Sequence, residues 1–199
     1  GTGMTANQAP FTMVLPPGWV RIPVDADTDA VFSAMIDGVV ERAPVERRAA
    51  LGAMLRTASR QSLASAREHD ALDLILSFAT VDGLPIPASI ATFRIVPPAA
   101  AGSTTEEILV SFATRGASAV EIDGTPAIRR VSEAAAGDDS PPHRGIHHIV
   151  HHRHRDEWLL ITASIIASDD PEYLEVMDAI ETLVDAMVST IRFTEAVPA

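Results

Sequence analysis

The chain has 199 residues and a formal net charge of −12, with 47% hydrophobic and 21% charged residues. That length and composition suit one globular domain with a sizeable core, and the negative surplus makes phosphate backbones and anionic membranes poor partners. There is no cysteine and no lysine, all 15 basic residues being arginine, which excludes disulfides, thiolate metal sites, thiol nucleophiles, Schiff-base chemistry and the phosphate-gripping lysine of a P-loop.

Gly1-Thr2-Gly3 ahead of Met4 reads as a cloning scar. Residues 1–10 are expected to be flexible, residues 11–194 to form a single domain, and residues 195–199 to be a flexible end. No segment pairs a basic start with an apolar run. None approaches the roughly 20 apolar residues that span a bilayer, so the expected location is the cytoplasm.

"FTMVLPPGWVRIPV" opens the domain. Pro16-Pro17-Gly18 predicts a turn between two short strands, hence an N-terminal hairpin. The next segment predicts a helix capped by Asp27 or Thr28, with Val31, Phe32, Met35, Val39 and Val40 on its apolar face. Asp25, Asp27 and Asp29 have the spacing of a calcium loop. Ile36 stands where the bidentate Glu belongs and the sixth position lacks glycine, so calcium is rejected. Pro44 restarts a helix with Leu51, Met54, Leu55, Ala58 and Leu63 on one side. Its other side carries Arg47, Arg48, Arg56, Arg60 and Arg67, the pattern of a solvated face.

Two strand patterns flank Asp82-Gly83, a hairpin signal. Thr104 three residues before Glu107 is a capping box, so a short helix is expected, with Gly116 as its stop, although Ile108, Val110 and Phe112 also fit a strand. A second strand pair surrounds Asp123-Gly124. "EWLLITASIIAS" is a buried strand and Pro171 starts a last helix. The core face of that helix is Tyr173, Met177, Ile180, Val184, Met187 and Ile191. "IRF" closes the fold. Trp19 and Trp158 are expected as core anchors.

These elements predict an α+β fold, an antiparallel sheet covered by helices on both faces in an α/β/α sandwich. In "FTMVLPPGW", "IDGTPAIRRV", "EWLLITASI" and "VDAMVSTIRF" the chain resembles the PsbP-like fold, shared with the Ran-binding Mog family and with uncharacterised proteins of high-G+C bacteria. The resemblance spans most of the chain as an order of elements and contains no chemical motif. It implies a non-catalytic accessory or binding module, of the kind that docks on photosystem subunits or on a GTPase. No site residue is carried over with it.

Six of the seven histidines lie in "HRGIHHIVHHRHRD", from His143 to Asp156. On a strand pairing back with "EWLLITASI", one face holds Ile146, His148, Val150, His152 and His154, and the other His147, Ile149 and His151. His152 and His154 have a spacing that suits one metal, with His148 or a facing carboxylate as a third ligand, so His148, His152 and His154 are the candidate metal ligands. Arg153 and Arg155 interleave them and repel a cation. The favoured expectation is therefore a solvated or partly buried strand. Crowding with Arg144, Arg153 and Arg155 is expected to depress the histidine pKa values, making the run a pH-sensitive surface.

There is no Gly-x-Ser-x-Gly elbow and no Gly-x-Gly-x-x-Gly loop. The acids Glu106-Glu107 and Asp169-Asp170 sit at helix starts, where the helix dipole accounts for them. No catalytic residue and no cofactor is expected. The leading functional expectation is a non-enzymatic binding or assembly module whose partner is another protein or a second copy of the chain. The alternatives are metal binding through the run from His143 to His154, and a small-ligand carrier with a pocket between sheet and helices.

Overall fold

A computed structural model describes residues 9–81, 84–86, 88–97, 102–114, 116–135, 137, 142–167 and 171–195. The turn pair Asp82-Gly83, the acids Asp169-Asp170 and the segment from Gly1 to Met4 lie outside the described residues. In chain order the first elements are β1 (Phe11–Thr12), β2 (Trp19–Pro23), α1 (Thr28–Arg42) and, after a short 3₁₀ turn (Val45–Arg47), α2 (Arg48–Glu68). Then come β3 (Asp73–Ser77), β4 (Thr80–Val81), β5 (Leu84–Pro85), β6 (Ala88–Ile95) and α3 (Thr105–Phe112). The last are β7 (Ala117–Ile122), β8 (Thr125–Ala134), β9 (His143–His151), β10 (Trp158–Ile166), α4 (Pro171–Ser189) and β11 (Arg192–Phe193). The chain divides into two compact units, one of residues 17–93 and the other of residues 1–16 and 94–199.

In the unit of residues 17–93, β2, β3 and β6 pair antiparallel in that order. Ile22, Leu74 and the half-buried Val20 and Leu76 pack against Phe32 of α1 and Leu63 and Ala66 of α2. The two helices keep only part of their expected apolar faces inside. Val31 is 41% and Met54 51% exposed, while Phe32, Ile36 and Leu63 are buried. The arginine stripe of α2 is turned towards α1: Arg56 pairs with Asp37 at 3.0 Å and Arg67 with Asp29 at 2.9 Å. At the start of α1, Asp27 occupies the N-cap without a side-chain cap bond. The expected cap is replaced by a turn in which the Thr28 hydroxyl donates to the Pro23 carbonyl at 2.8 Å and accepts from the Asp25 amide at 2.7 Å.

The other unit is a meander, β7–β8–β9–β10, every pair antiparallel. Asp123 (φ 48°) and Gly124 (φ 70°) both take the left-handed region between β7 and β8, the geometry that favours Asp-Gly in a two-residue hairpin. Opposite faces of the meander carry different helices. Ile146, Val150, Leu159, Ile161 and Ala163 are fully buried on the face beneath α4, which is tied down by ion pairs from Arg129 and Arg144. As expected, α4 turns Met177, Ile180, Val184 and Met187 inward, while Tyr173 is only half-buried and Ile191, expected on the same face, is buried just past the end of the helix. Ile128, Ile149 and Trp158 on the other face receive Leu109, Ile108 and Phe112 of α3. This is the anticipated α+β arrangement of antiparallel sheet with helices on both faces. The start of α3 is also as read: the Thr104 hydroxyl accepts from the Glu107 amide at 3.2 Å, and the Glu107 carboxylate accepts from the Thr104 amide at 3.1 Å.

The N-terminal hairpin is not formed. Phe11 pairs with Phe193, and β2 pairs with β3 instead of folding back on β1. Gly18 explains the misreading. Its φ of +84° does mark a turn, but a Cβ there would stand 2.8 Å from the Cβ of Ala79, and the Phe78 amide donates to the Gly18 carbonyl. The glycine serves close approach to the strand after it in the sheet. Both tryptophans are 6% exposed. Emission of the folded protein is therefore expected at shorter wavelength than that of the urea-unfolded chain; emission at the solvated wavelength would place both indoles outside the core.

Candidate functional site

The histidine strand is β9, and its alternation splits the histidines between two environments. His148 points towards α4 and is 3% exposed. Its Nε2 lies 3.8 Å from Asp185 Oδ1, and its Nδ1 is buried with no partner among the described residues. Arg129 stands opposite it on β8 and Ile161 on β10. The guanidinium of Arg129 is claimed by α4, with Nε 2.9 Å from Asp185 Oδ1 and Nη2 2.7 Å from Glu181 Oε1.

His152 lies just past the strand and is fully buried. Its Nε2 donates to the Pro10 carbonyl at 2.6 Å and its Nδ1 accepts from the His154 amide at 3.1 Å. His154 is exposed, its ring centroid 6.2 Å from that of His152. The three candidate ligands are thus dispersed: one beneath α4, one with both ring nitrogens engaged, one at the surface. Among the described residues no group of three or more His, Asp or Glu is placed to hold a metal ion.

The expectation of a solvated or partly buried strand needs a correction at His148 and His152, which are buried core residues. The expected lowering of the pKa values is present at His147, His148 and His152, but its first cause is different. Burial leads at His147, His148 and His152, and neighbouring positive charge is secondary. At His148 the imidazole is held down at about 4. Arg144 adds nothing to the crowding, because Glu133, Asp178 and Glu181 surround its guanidinium.

The opposite face of the meander holds a different arrangement. Cross-strand register aligns Ile128, Ile149 and Leu160 in one row and Arg130, His147 and Thr162 in the next. Together with Ile95, Val96 and the α3 flank of Ser111, Phe112 and Thr114, these rows line a half-open cleft of about 510 Å³. His147 stands in its floor. Ser132 Oγ lies 2.8 Å from His147 Nε2, and Thr162 Oγ1 lies 3.2 Å from Nδ1. Gly145 makes room for the first contact, since a Cβ there would come within 2.7 Å of His147 Nε2 and 2.8 Å of Ser132 Oγ. Burial, then Arg130, then His143 lower the His147 pKa, so the ring is neutral at pH 7. A hydroxyl next to a neutral imidazole is the start of a nucleophile–base pair. Here the second ring nitrogen meets the Thr162 hydroxyl, which carries no charge to stabilise an imidazolium as the third member of a triad does.

The chain is similar in structure to the Saccharomyces cerevisiae Ran-binding protein Mog1p. The likeness covers 94% of this chain and 91% of that one at 13% sequence identity, with a TM-score of 0.41. Mog1p is too distant at that score to lend an argument about site or partner. No family model and no curated protein matches the chain. The cleft is therefore assigned from the residues of this chain alone.

Sequence reasoning missed the cleft. Arg130, Thr162, Phe112 and Ser111 were not singled out, and His147 was noticed only as one of a run. The signal that could have found them is the register of β8 on β9, which sets "IRRV" (128–131) against "IHHI" (146–149). Asp123-Gly124 fixes the β7–β8 register locally, but no tight turn fixes that of β8 and β9. No helix among the described residues is long and apolar enough to cross a membrane.

Proposed function

We propose that this chain is a non-enzymatic binding module and that the cleft beneath α3 is its binding element. The observation carrying this reading is the cleft itself. Its volume of about 510 Å³ lies within the roughly 300–1,000 Å³ of small-ligand sites. It also has their composition, apolar walls with a few polar groups converging on one row. The uncharged partner on the far side of His147 supports binding over catalysis. The small-ligand reading therefore stands ahead of the protein-partner reading.

Titration with octanol, followed in ¹H–¹⁵N spectra, tests it. Amide shifts are expected to cluster at Phe112, Ile149, Leu160 and Thr162. Ser111 is exposed on α3 and faces the cleft, so Ser111→Trp is expected to block the mouth from outside the core and abolish the shifts. Shifts scattered elsewhere, or none at all, would overturn the assignment.

A further inference from the structure

The two adjacent arginines of β8 have opposite fates. Arg129 is gripped by Asp185 and Glu181 on the α4 face. Arg130 points to the α3 face, is exposed, and its guanidinium forms no hydrogen bond or ion pair among the described residues. Elsewhere on the same meander Arg144 collects three carboxylates and Arg155 pairs with Glu157. The chain has 27 acidic residues against 15 arginines, so carboxylates are in surplus, yet none of them lines this cleft among the described residues. Arg130 is the one charged group among the described residues of its lining.

From this asymmetry we infer that the cleft takes a small amphipathic carboxylate, its head on Arg130 and its apolar tail along Ile128, Ile149, Leu160 and Phe112. The inference rests on the binding reading above and names the ligand class for that site. Three features favour it. An unpaired guanidinium beside an apolar wall offers a planar fork to a carboxylate and no comparable partner to an alcohol. The row Arg130–His147–Thr162 lies next to the row Ile128–Ile149–Leu160, so head and tail sites are adjacent strand rungs, two residues apart along each strand. The hydroxyl of Thr114 stands on the α3 side of the same cleft, where it can donate to a second carboxylate oxygen, whereas that of Ser111 already donates to the Ile108 carbonyl. Among the described residues of the lining no negative side chain has to be displaced for an anion to enter. A cationic or neutral polar ligand would find Arg130 repulsive or unused.

The decisive comparison uses octanoate, octanol and acetate with the full chain, measured by titration calorimetry. Octanoate is expected to bind about tenfold more tightly than octanol, the scale of one charge-assisted hydrogen-bond pair. Acetate, which has the head without the tail, is expected to bind more weakly than either. In Arg130→Leu the preference for octanoate should vanish while octanol affinity stays unchanged. Arg130 is exposed, so this variant is expected to keep the wild-type melting temperature, and Ser111→Trp should abolish binding of both eight-carbon probes. If octanol binds in the cleft and octanoate binds no better, the anion inference is overturned while the binding reading stands. If neither probe binds, both fall. Octanoate binding that survives Arg130→Leu and Ser111→Trp places the ligand elsewhere and overturns the inference, as does acetate binding as tightly as octanoate.

Discussion

Trp158→Ala is expected to cost about 3–5 kcal/mol of folding stability, the range for removing a large buried aromatic side chain. The indole is 6% exposed and heads β10. It meets Phe112 at 6.2 Å and His151 at 5.1 Å between ring centroids, and packs in one cluster with Leu109 and Ile128. The consequence extends beyond a cavity. Helix α3 has 8 residues, shorter than the roughly 12–15 at which an isolated helix becomes even marginal in water. Its capping box satisfies the first turn, but docking of Leu109 and Phe112 holds it in place. With Trp158 removed, α3 should loosen and the cleft should lose its Phe112 wall. Urea unfolding gives the stability change, and hydrogen exchange of residues 105–112 should accelerate far more than that of β9. Trp158→Phe should recover much of the loss. A cost below about 1 kcal/mol would mean that the cluster around α3 is not a packed core.

A second large effect is expected on acidification. His148 is held at about 4 against an ordinary 6.5, through burial above all. The groups around it are Arg129 and Ile161 on the neighbouring strands, His147 beside it, and Asp185 on α4. Only Asp185 favours the charged ring; Arg129 and His147 oppose it. The unfolded chain takes up this proton near 6.5 and the folded chain near 4, so between those values the unfolded state binds more protons. Stability is therefore complete above 6.5 and falls as the pH drops towards 4. At about 1.4 kcal/mol per pH unit the loss is on the order of 3 kcal/mol. His147 and His152 are lowered for the same first reason and act in the same direction. Chemical denaturation from pH 7.5 to 4.5 measures the slope. His148→Gln should flatten its largest part and leave the smaller contribution of the other two. A slope unaltered by that substitution would show that His148 is already charged, or hydrated, in the folded protein.

The features that could be read from the sequence are those whose partners are close along the chain. Thr104 and Glu107 are three residues apart, and their reciprocal bonds formed as read. Asp123-Gly124 takes the backbone its dipeptide demands. β9 and β10 flank a short turn and pair as expected. The failures are non-local. Nothing near Phe11 says that its partner is Phe193, so Pro16-Pro17-Gly18 was the nearest available turn and suggested a hairpin. The alternation of β9 correctly separated His148 from His147, but which side would be buried depends on α4. That helix brings Glu181 and Asp185 over Arg129 and His148 from a distant part of the chain. A run of histidines looks alike from both sides until one side is covered.

The pairing of β1 with β11 has a consequence for the order of synthesis. Thr194 donates through its hydroxyl to the Ala9 carbonyl, 185 residues earlier. On the ribosome the first strand of the fold is therefore made long before its partner exists. Phe11, fully buried in the finished protein, waits until β11 has left the exit tunnel. At the common elongation rate of about 5–20 residues per second, that wait lasts roughly 10–40 seconds. During it the nascent chain carries an uncovered phenylalanine and an unpaired strand edge, the kind of transiently exposed surface that chaperones bind.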